Sequence, residues 1–167
     1  FARTAVDDLG GVDVLVNNAG IPKRRWAWNH RPDEIADVLR INVESPIRLT
    51  TALLGDLAAS NGHAVFIGSV AGMVSSPFGA PYGASKHAIA AVAQSLRVEV
   101  APWGIGVSLV EPGAVGTAIW EKGARTVERV TELVGPAAMD LYGPAIERLD
   151  AQIAELNAKA PGPEKVV

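Results

Sequence analysis

The stretch VDVLVNNAG, from Val12 to Gly20, indicates the fold of the chain. Its first part, Val12 to Val16, is an apolar run with the length of a short buried strand, and Asn17 to Gly20 then supply turn-forming residues. Two further segments, Ala64 to Gly68 and Gly106 to Val110, combine a similar run with a Gly, Ser or Pro turn signal. We therefore predict three buried strands.

Long helical patterns separate these strands. Pro32 and the acidic residues after it are typical of a helix start, and apolar residues then recur at helical spacing as far as Leu57. A second pattern extends from about Pro81 to Val100. Its predicted apolar side consists of Ala88, Ala91, Val92, Leu96 and Val100. Strands that alternate with helices indicate βαβ units, and hence an α/β fold with a parallel sheet.

Both ends of the chain also show helical patterns. Residues 1–9 resemble the end of a helix, and 122–159 are predicted to form amphipathic helices. We expect breaks in the second region at Gly135-Pro136 and at Gly143-Pro144, because proline interrupts helical hydrogen bonding.

The composition is that of an ordinary globular domain. Of the 167 residues, 49% are hydrophobic and 20% are charged, a balance that argues against intrinsic disorder. The formal net charge is -3 and no basic block occurs, so we expect no nucleic-acid partner. The chain has no cysteine, which excludes a disulfide framework and fits a cytoplasmic location. We also expect no membrane span, because the apolar runs are too short.

Tyr82 and Lys86 stand at i and i+4 in the second helical pattern, so their side chains share one helix face. A phenol that titrates near ~10 exchanges protons poorly at neutral pH. A lysine charge about 4 Å away would favour the phenolate by up to about 4 kcal/mol at an effective dielectric constant near 20. The pair could therefore serve as a proton shuttle. The alternative is a solvated helix face without a catalytic role.

Two other polar residues occupy informative positions. Ser69 follows a predicted strand, where it could donate a hydrogen bond to a substrate oxygen or simply form a turn. Asn42 lies inside the first long helix, an unfavourable place for asparagine. Pro46 has no N–H group for the Asn42 carbonyl, which is then free to bind a water molecule. A simple helix kink is the alternative, and a local bend is expected in either case.

These segments together resemble the short-chain dehydrogenase/reductase family. The resemblance rests on Asn17-Asn18-Ala19-Gly20, Asn42, Ser69, Tyr82-Gly83-Ala84-Ser85-Lys86 and Pro112-Gly113, which follow in the family's order as far as Thr117. It implies an oxidoreductase that transfers a hydride between NAD or NADP and a carbonyl or alcohol. It also implies four catalytic residues and no metal.

The resemblance assigns a role to each catalytic residue. Tyr82 would be the general acid and base, and Ser69 would orient the substrate oxygen. Lys86 would favour the phenolate and bind the ribose hydroxyls of the cofactor. Asn42 would hold a water molecule that connects Lys86 to solvent.

The same resemblance implies a set of residues that bind the cofactor. Besides Tyr82 and Lys86, they are Asn18, Ala19 and Gly20 on the adenosine side and Pro112, Gly113, Val115 and Thr117 around the nicotinamide. For the first group, an alternative is that the asparagines tie neighbouring strands together. Thr117 could equally be a helix N-cap.

One departure from the family pattern concerns the cofactor pyrophosphate. No Gly-x-x-x-Gly-x-Gly turn occurs near Phe1, although such a turn holds the pyrophosphate at a helix N-terminus in doubly wound folds. The residue that would select NAD or NADP is absent with it. We therefore expect an internal fragment: a partial Rossmann-like doubly wound parallel sheet with strands four, five and six, which lacks the N-terminal βαβ half.

The resemblance also suggests how the chain is divided. We expect one partial domain over 1–167, with a catalytic core at 1–117 and a substrate-binding helical segment at 118–160. Met73 to Gly79 and Gly116 to Leu156 would form the pocket walls. An apolar lining could come from Trp120, Met139, Leu141 and Tyr142, for which ordinary helix packing is the alternative.

The expected partner is a small alcohol or ketone, and the whole protein is expected to form a homo-oligomer, a dimer or a tetramer. We expect the fragment alone to be inactive. Two other functions stay open: a catalytically inactive relative, and an interaction module built from the two long helices. Intact Asn42, Ser69, Tyr82 and Lys86 argue against an inactive relative.

Overall fold

The computed structural model describes residues 1–22, 31–116 and 140–162, apart from residues 150 and 157. Its main elements, in chain order, are α1 (Ala2–Leu9), β1 (Val14–Asn17), α2 (Pro32–Leu39), a π-helical turn (Arg40–Glu44), α3 (Ser45–Ser60), β2 (His63–Ile67), α4 (Ala80–Glu99) and β3 (Gly106–Val110). Two 3-10 turns, Val70–Gly72 and Ala101–Trp103, flank α4. The start of α2 confirms the sequence signal, because Pro32 opens the helix and two acidic residues lie in its first turn.

The three strands form a parallel sheet in the order β1-β2-β3. Val14 lies opposite His63, and His63 lies opposite Gly106. Parallel neighbours need a long crossover, which α2 to α3 provide between β1 and β2, and α4 provides between β2 and β3. The α/β architecture and β3 are confirmed, while β1 and β2 begin and end one or two residues away from their predicted bounds. The place of these strands in a larger sheet stays a prediction.

The hydrophobic core lies between one face of the sheet and the helices α3 and α4. Its buried members are Leu15, Leu53, Leu57, Ala64, Phe66, Ile89, Ala93, Val100, Ile105 and Val107. Leu57 and Phe66 are fully buried, which stabilises the fold by about 1.5–3 kcal/mol for each side chain. The core therefore fixes α4 over the sheet and sets the position of the residues at its N-terminal end.

The buried face of α4 agrees with the predicted one only in part. Val100 lies in the core and half-buried Val92 and Leu96 pack against it, whereas Ala91 is exposed. The buried residues of the helix include Ser85, Lys86, Ile89, Ala90 and Ala93. The reason is that alanine occurs on every side of α4, so its apolar pattern is weak. The buried face is therefore rotated from the predicted one and includes two polar residues, Ser85 and Lys86.

The predicted break at Gly143-Pro144 is wrong, because residues 140–149 are continuously helical. Pro144 removes one backbone donor, the one that would bond the carbonyl of Asp140, and leaves the other bonds possible. Gly143 and Ile146 are buried, and this packing favours a continuous helix. The other predicted break, at Gly135-Pro136, lies outside the described residues.

Candidate active site

Ser69 and the predicted cofactor-binding segments follow the carboxyl ends of the three strands. Asn18 to Gly20 follow β1, Ser69 follows β2, and Pro112 to Val115 follow β3. Because the strands are parallel, these segments meet at one edge of the sheet, the edge where doubly wound folds bind ligands. Lys86 on α4 reaches the same edge, since its Nζ donates a hydrogen bond of 2.7 Å to the carbonyl oxygen of Ile67, the last residue of β2.

Lys86 is a buried cation beside Tyr82. Only 6% of Lys86 is exposed, and its Nζ lies 5.7 Å from the centre of the Tyr82 ring. Burial lowers the pKa of the Lys86 ammonium group, because the charged form loses contact with water. Removing an ammonium group from water is costly unless acceptors compensate it, and the Ile67 carbonyl is one such acceptor. The arrangement is unlike a solvated helix face, where lysine would extend into water.

Asn42 lies in the π-helical turn that separates α2 from α3. Ser45 donates to the carbonyl of Arg40, five residues earlier, through its backbone N–H, and its hydroxyl donates to the same oxygen. Pro46 cannot donate to Asn42, so the α-helical bond between these two positions cannot form. The α-helical hydrogen-bonding pattern is interrupted here by a π turn, a feature that is frequent at functional sites, while the expected bend stays a prediction.

The side chain of Asn42 binds the loop after β1. Its Oδ1 accepts a hydrogen bond of 2.8 Å from the Ile21 N–H, and its Nδ2 donates to the Ile21 carbonyl over 3.0 Å. These two bonds determine which end of the amide is the oxygen. A second bond from Nδ2, to Ser85 Oγ, also measures 3.0 Å. Asn42 therefore joins the loop after β1 to α4.

The loop after β1 passes directly over this group. A Cβ atom on Gly20 would lie 3.5 Å from Asn42 Oδ1 and 3.8 Å from Lys86 Nζ. Asn18, Ala19 and Gly20 are exposed, so their surfaces are open to a ligand. Asn17 is buried and donates from Nδ2 to Thr50 Oγ1 over 3.0 Å. This bond ties β1 to α3, not to a neighbouring strand.

Ser69 caps the 3-10 turn after β2. Its Oγ accepts a hydrogen bond of 3.1 Å from the N–H of Ala71, so the turn role considered for it is present. Capping uses an oxygen lone pair and leaves the hydroxyl proton available for donation. The turn packs on α4, because a Cβ on Gly72 would clash with the backbone of Lys86. Ser69 is thereby held beside the N-terminal half of α4.

The segment after β3 lies next to the Ser69 turn. The Pro112 carbonyl accepts a hydrogen bond of 3.0 Å from the N–H of Val70. Gly113 is exposed and a Cβ there would meet no atom within 4 Å, while Val115 is half-buried. Thr117 lies outside the described residues.

The structure describes part of the predicted wall of the substrate pocket. Met73 and Val74, in the loop before α4, are 59% and 67% exposed. Leu141 is 70% exposed and Tyr142 is half-buried. Trp120 and Met139 lie outside the described residues. The described residues therefore show exposed apolar groups in the loop before α4.

Ser85 belongs to the site although the sequence analysis gave it no role. It is fully buried, and its hydroxyl lies between Asn42 and the backbone of Tyr82. The available signal was its position on the helix face that Tyr82 and Lys86 share. The sequence shows only a serine in an alanine-rich helix. It does not show that the serine hydroxyl binds Asn42, which is 43 positions away.

Comparisons with known proteins show which family the chain resembles. The family model described as short chain dehydrogenase matches residues 1–128. Dehydrogenase/reductase SDR family member 7B of Xenopus laevis is 41% identical over 117 residues, which are 70% of this chain and 36% of that protein. An NADPH-dependent 3-dehydrocapnine reductase of Ornithobacterium rhinotracheale is 38% identical over 67% of this chain and 41% of its own length. The chain thus spans about two fifths of the length of these relatives.

A solved structure shows the same fold. NAD⁺-bound xylitol dehydrogenase matches with a TM-score of 0.69 and 32% identity, over 80% of this chain and 51% of that one. Within the described ranges, no helix has the length and apolar character needed to cross a membrane.

Proposed function

The chain belongs to the short-chain dehydrogenase family, and we propose that the whole protein carrying it is an NAD- or NADP-dependent oxidoreductase acting on a carbonyl or alcohol. The observation that best supports this function is the buried Lys86 ammonium group beside Tyr82, at the carboxyl ends of the strands. The printed names of relatives and structural neighbours point the same way, since they include an NADPH-dependent reductase and an NAD⁺-bound dehydrogenase.

The residues of this chain fit the nicotinamide, its ribose and the adenosine side of such a cofactor. Lys86 gives one of its three N–H groups to Ile67, and the other two can donate to ribose hydroxyls. Gly20 and Gly113 are exposed and allow a ligand to approach their backbone closely. The nicotinamide, when bound, supplies or accepts the hydride. Asn18, Ala19, Pro112, Val115 and Thr117 complete the proposed cofactor site.

We assign the transfer of the catalytic proton to Tyr82. During reduction of a carbonyl, the Tyr82 hydroxyl gives its proton to the substrate oxygen, and during oxidation the phenolate takes it back. Ser69 donates a hydrogen bond to the same oxygen and orients it. The charge of Lys86 favours the phenolate, and the backbone carbonyl of Asn42 holds the water molecule through which the proton returns to solvent.

We propose that the loop before α4 and the segment 118–160 form the substrate pocket. We place one wall of the pocket at Met73 to Gly79, because exposed Met73 and Val74 give it an apolar surface. Together with the catalytic core at 1–117, these segments would form one domain. We further propose that the whole protein pairs with copies of itself, as a dimer or tetramer, through α3 and α4.

An inactive interaction module is less well supported. A scaffold needs no buried ammonium group, and burying one lowers stability unless other interactions compensate. The module would also not require an exposed Gly20 next to that charge, where a Cβ would lie 3.8 Å from Lys86 Nζ.

The test is Tyr82→Phe in the whole protein, measured by the absorbance of NADH or NADPH during turnover with a panel of small ketones and alcohols. Phenylalanine keeps the ring and removes the proton, so kcat should fall by roughly 10²–10⁴-fold. The dissociation constant of the cofactor should change little. Lys86→Ala should impair both turnover and cofactor binding, because Lys86 acts in both.

The matched control is Trp103→Phe, an aromatic exchange just beyond the opposite end of α4. It should retain normal turnover. Substantial activity in Tyr82→Phe would show that another group donates the proton. Absence of hydride transfer in the unmodified protein with every substrate and both cofactors would favour the interaction module.

A further inference from the structure

We propose that Ser85 is a positioning residue, which holds the backbone of Gly20 and Ile21 against the Tyr82–Lys86 turn of α4 by fixing the side chain of Asn42. Its kinetic consequence rests on the proposed function. Its structural consequence, the protection of the Ile21 amide, does not depend on any activity.

The hydrogen bonds of Ser85 have only one possible direction. The Nδ2 of Asn42 can only donate, so Ser85 Oγ accepts from it over 3.0 Å. The single hydroxyl proton then goes to the carbonyl oxygen of Tyr82, at 2.7 Å. Ser85 is fully buried, and both bonds restrict its rotamer. The hydroxyl thus joins the π turn to the first turn of α4.

Asn42 transmits this restraint to the loop after β1. Both of its amide hydrogens are used, one on Ser85 and one on the Ile21 carbonyl, while its oxygen accepts the Ile21 N–H. Without Ser85 Oγ, one hydrogen of a side chain that is only 2% exposed loses its acceptor. A buried donor without an acceptor is costly, so the amide is expected to rotate and to weaken its bonds to Ile21.

Movement of the loop after β1 would change the surroundings of Lys86. Gly20 precedes Ile21, and a Cβ at Gly20 would lie 3.8 Å from Lys86 Nζ. The surroundings of the ammonium group therefore depend on the loop, and the loop depends on Asn42 and Ser85. A purely structural serine would affect the stability of the protein without changing how its activity depends on pH.

The first test compares Ser85→Ala with Ser95→Ala by hydrogen–deuterium exchange in the whole protein. Ser95 is exposed on the same helix, so it controls for the change in helix propensity. We expect the Ile21 amide to exchange roughly 10-fold faster in Ser85→Ala, since its acceptor is less well held. Ser95→Ala should leave that rate unchanged.

Unaltered exchange at Ile21 in a folded Ser85→Ala protein would overturn the proposal, whether or not the protein is an enzyme. If Ser85→Ala does not fold, Ser85→Cys provides the same comparison. Its thiol is slightly larger than the hydroxyl, so it leaves no cavity, but it hydrogen-bonds weakly.

The second test is kinetic. Ser85→Ala should lower kcat by roughly 10-fold through misplacement of Lys86 and Tyr82, with little change in the KM of the substrate. The pH at which kcat is half-maximal should shift as well. Because Ser85 acts through Asn42, the double variant Asn42→Ala/Ser85→Ala should lose no more activity than Asn42→Ala alone.

Additive losses in the double variant, or a pH profile identical to that of Ser95→Ala, would show that Ser85 has only a structural role. These results are distinct from failure of the proposed function. In that case the unmodified protein transfers no hydride, and exchange at Ile21 alone decides whether Ser85 positions the loop.

Discussion

The buried charge of a single residue, Lys86, makes the stability of the protein depend on pH. Burial lowers the pKa of its ammonium group below the ordinary value of 10.5. In the alkaline window just below that value, the unfolded chain therefore binds more protons than the folded chain. By linkage, the contribution of this group to the free energy of unfolding rises with pH through the window. At lower pH the full cost of burying the charge is present.

Lys86→Met tests this effect, since methionine is of similar length and carries no charge. The free energy of unfolding, measured by urea denaturation from pH 7 to about 10.5, should favour the variant most at the lower pH. The difference between variant and unmodified protein should shift toward the unmodified protein as the pH rises. Lys159→Met removes an exposed ammonium group and is the control. A difference that stays constant across the range would contradict the buried charge.

Other single residues show what a sequence can reveal about the site. Asn42 was recognisable because asparagine is unfavourable inside a helix and Pro46 removes a donor. The spacing of Tyr82 and Lys86 made them candidates, although the spacing alone also fits a solvated helix face. The hydrogen bonds of Asn42 with Ile21 and with Ser85 were not recognisable from the sequence, because they join residues 21 and 43 positions apart. Such contacts depend on how the π turn, the loop after β1 and α4 pack together.

At the scale of elements, α3 and the turn that follows it contain two glycines with opposite requirements. A Cβ on Gly55, inside α3, would meet no atom within 4 Å. A Cβ on Gly62, between α3 and β2, would clash with the carbonyl oxygen of Asp13 and lie 3.1 Å from Leu57 Cδ2. The turn brings α3 so close to the start of β1 that only glycine fits.

The same substitution should therefore have opposite effects at these two positions. Gly55→Ala should raise the free energy of unfolding by about 1 kcal/mol through helix propensity. Gly62→Ala should lower it by about 1–3 kcal/mol, because the backbone atoms of the clash cannot move freely. Urea denaturation of both variants measures the two changes. Equal changes at the two positions would mean that the close approach of α3 to β1 is not present.

The elements were predicted well where the periodicity was strong and poorly where it was weak. The three strands appeared as apolar runs, and only their ends moved. The face of α4 was predicted only in part, because its alanines hide the orientation that Ile89 and Ala93 reveal in the structure. The helix through Gly143-Pro144 was missed, because tertiary packing overrides a single proline that the local pattern treats as a stop.

At the scale of the whole molecule, the two faces and the two edges of the sheet differ. Leu15 and Phe66 lie in the core on one face, whereas Val14 and Val16 on the other face are 58% and 55% exposed. Within the described residues β1 pairs only with β2, so its second edge presents backbone N–H and C=O groups without a strand partner. An apolar strand with a free edge can pair with another chain.

We therefore expect the 167-residue polypeptide, expressed by itself, to self-associate, to bind dinucleotide poorly and to show no hydride transfer. Weak binding is expected because its sequence has no Gly-x-x-x-Gly-x-Gly turn to hold the pyrophosphate. Self-association should depend on β1. Val14→Lys/Val16→Lys places charges at the edge while the inward-facing Leu15 is kept, so it should shift the polypeptide toward monomer in sedimentation velocity. Val98→Lys, at a 75% exposed position on α4, tests association through the proposed helix interface separately. Leu9→Lys, at a 74% exposed position on α1, is the control and should leave the assemblies unchanged.

The results of these experiments distinguish between the possible routes of self-association and cofactor binding. If the polypeptide is a monomer at every concentration tested, the edge of β1 is already protected in solution. If Val98→Lys disperses the assemblies and the β1 variant does not, association occurs through α4. A polypeptide that binds NADH tightly by calorimetry and reduces ketones would show that the exposed loops after β1 and β3, together with Lys86, suffice to hold the cofactor. The Rossmann-type glycine turn would then be dispensable for this chain.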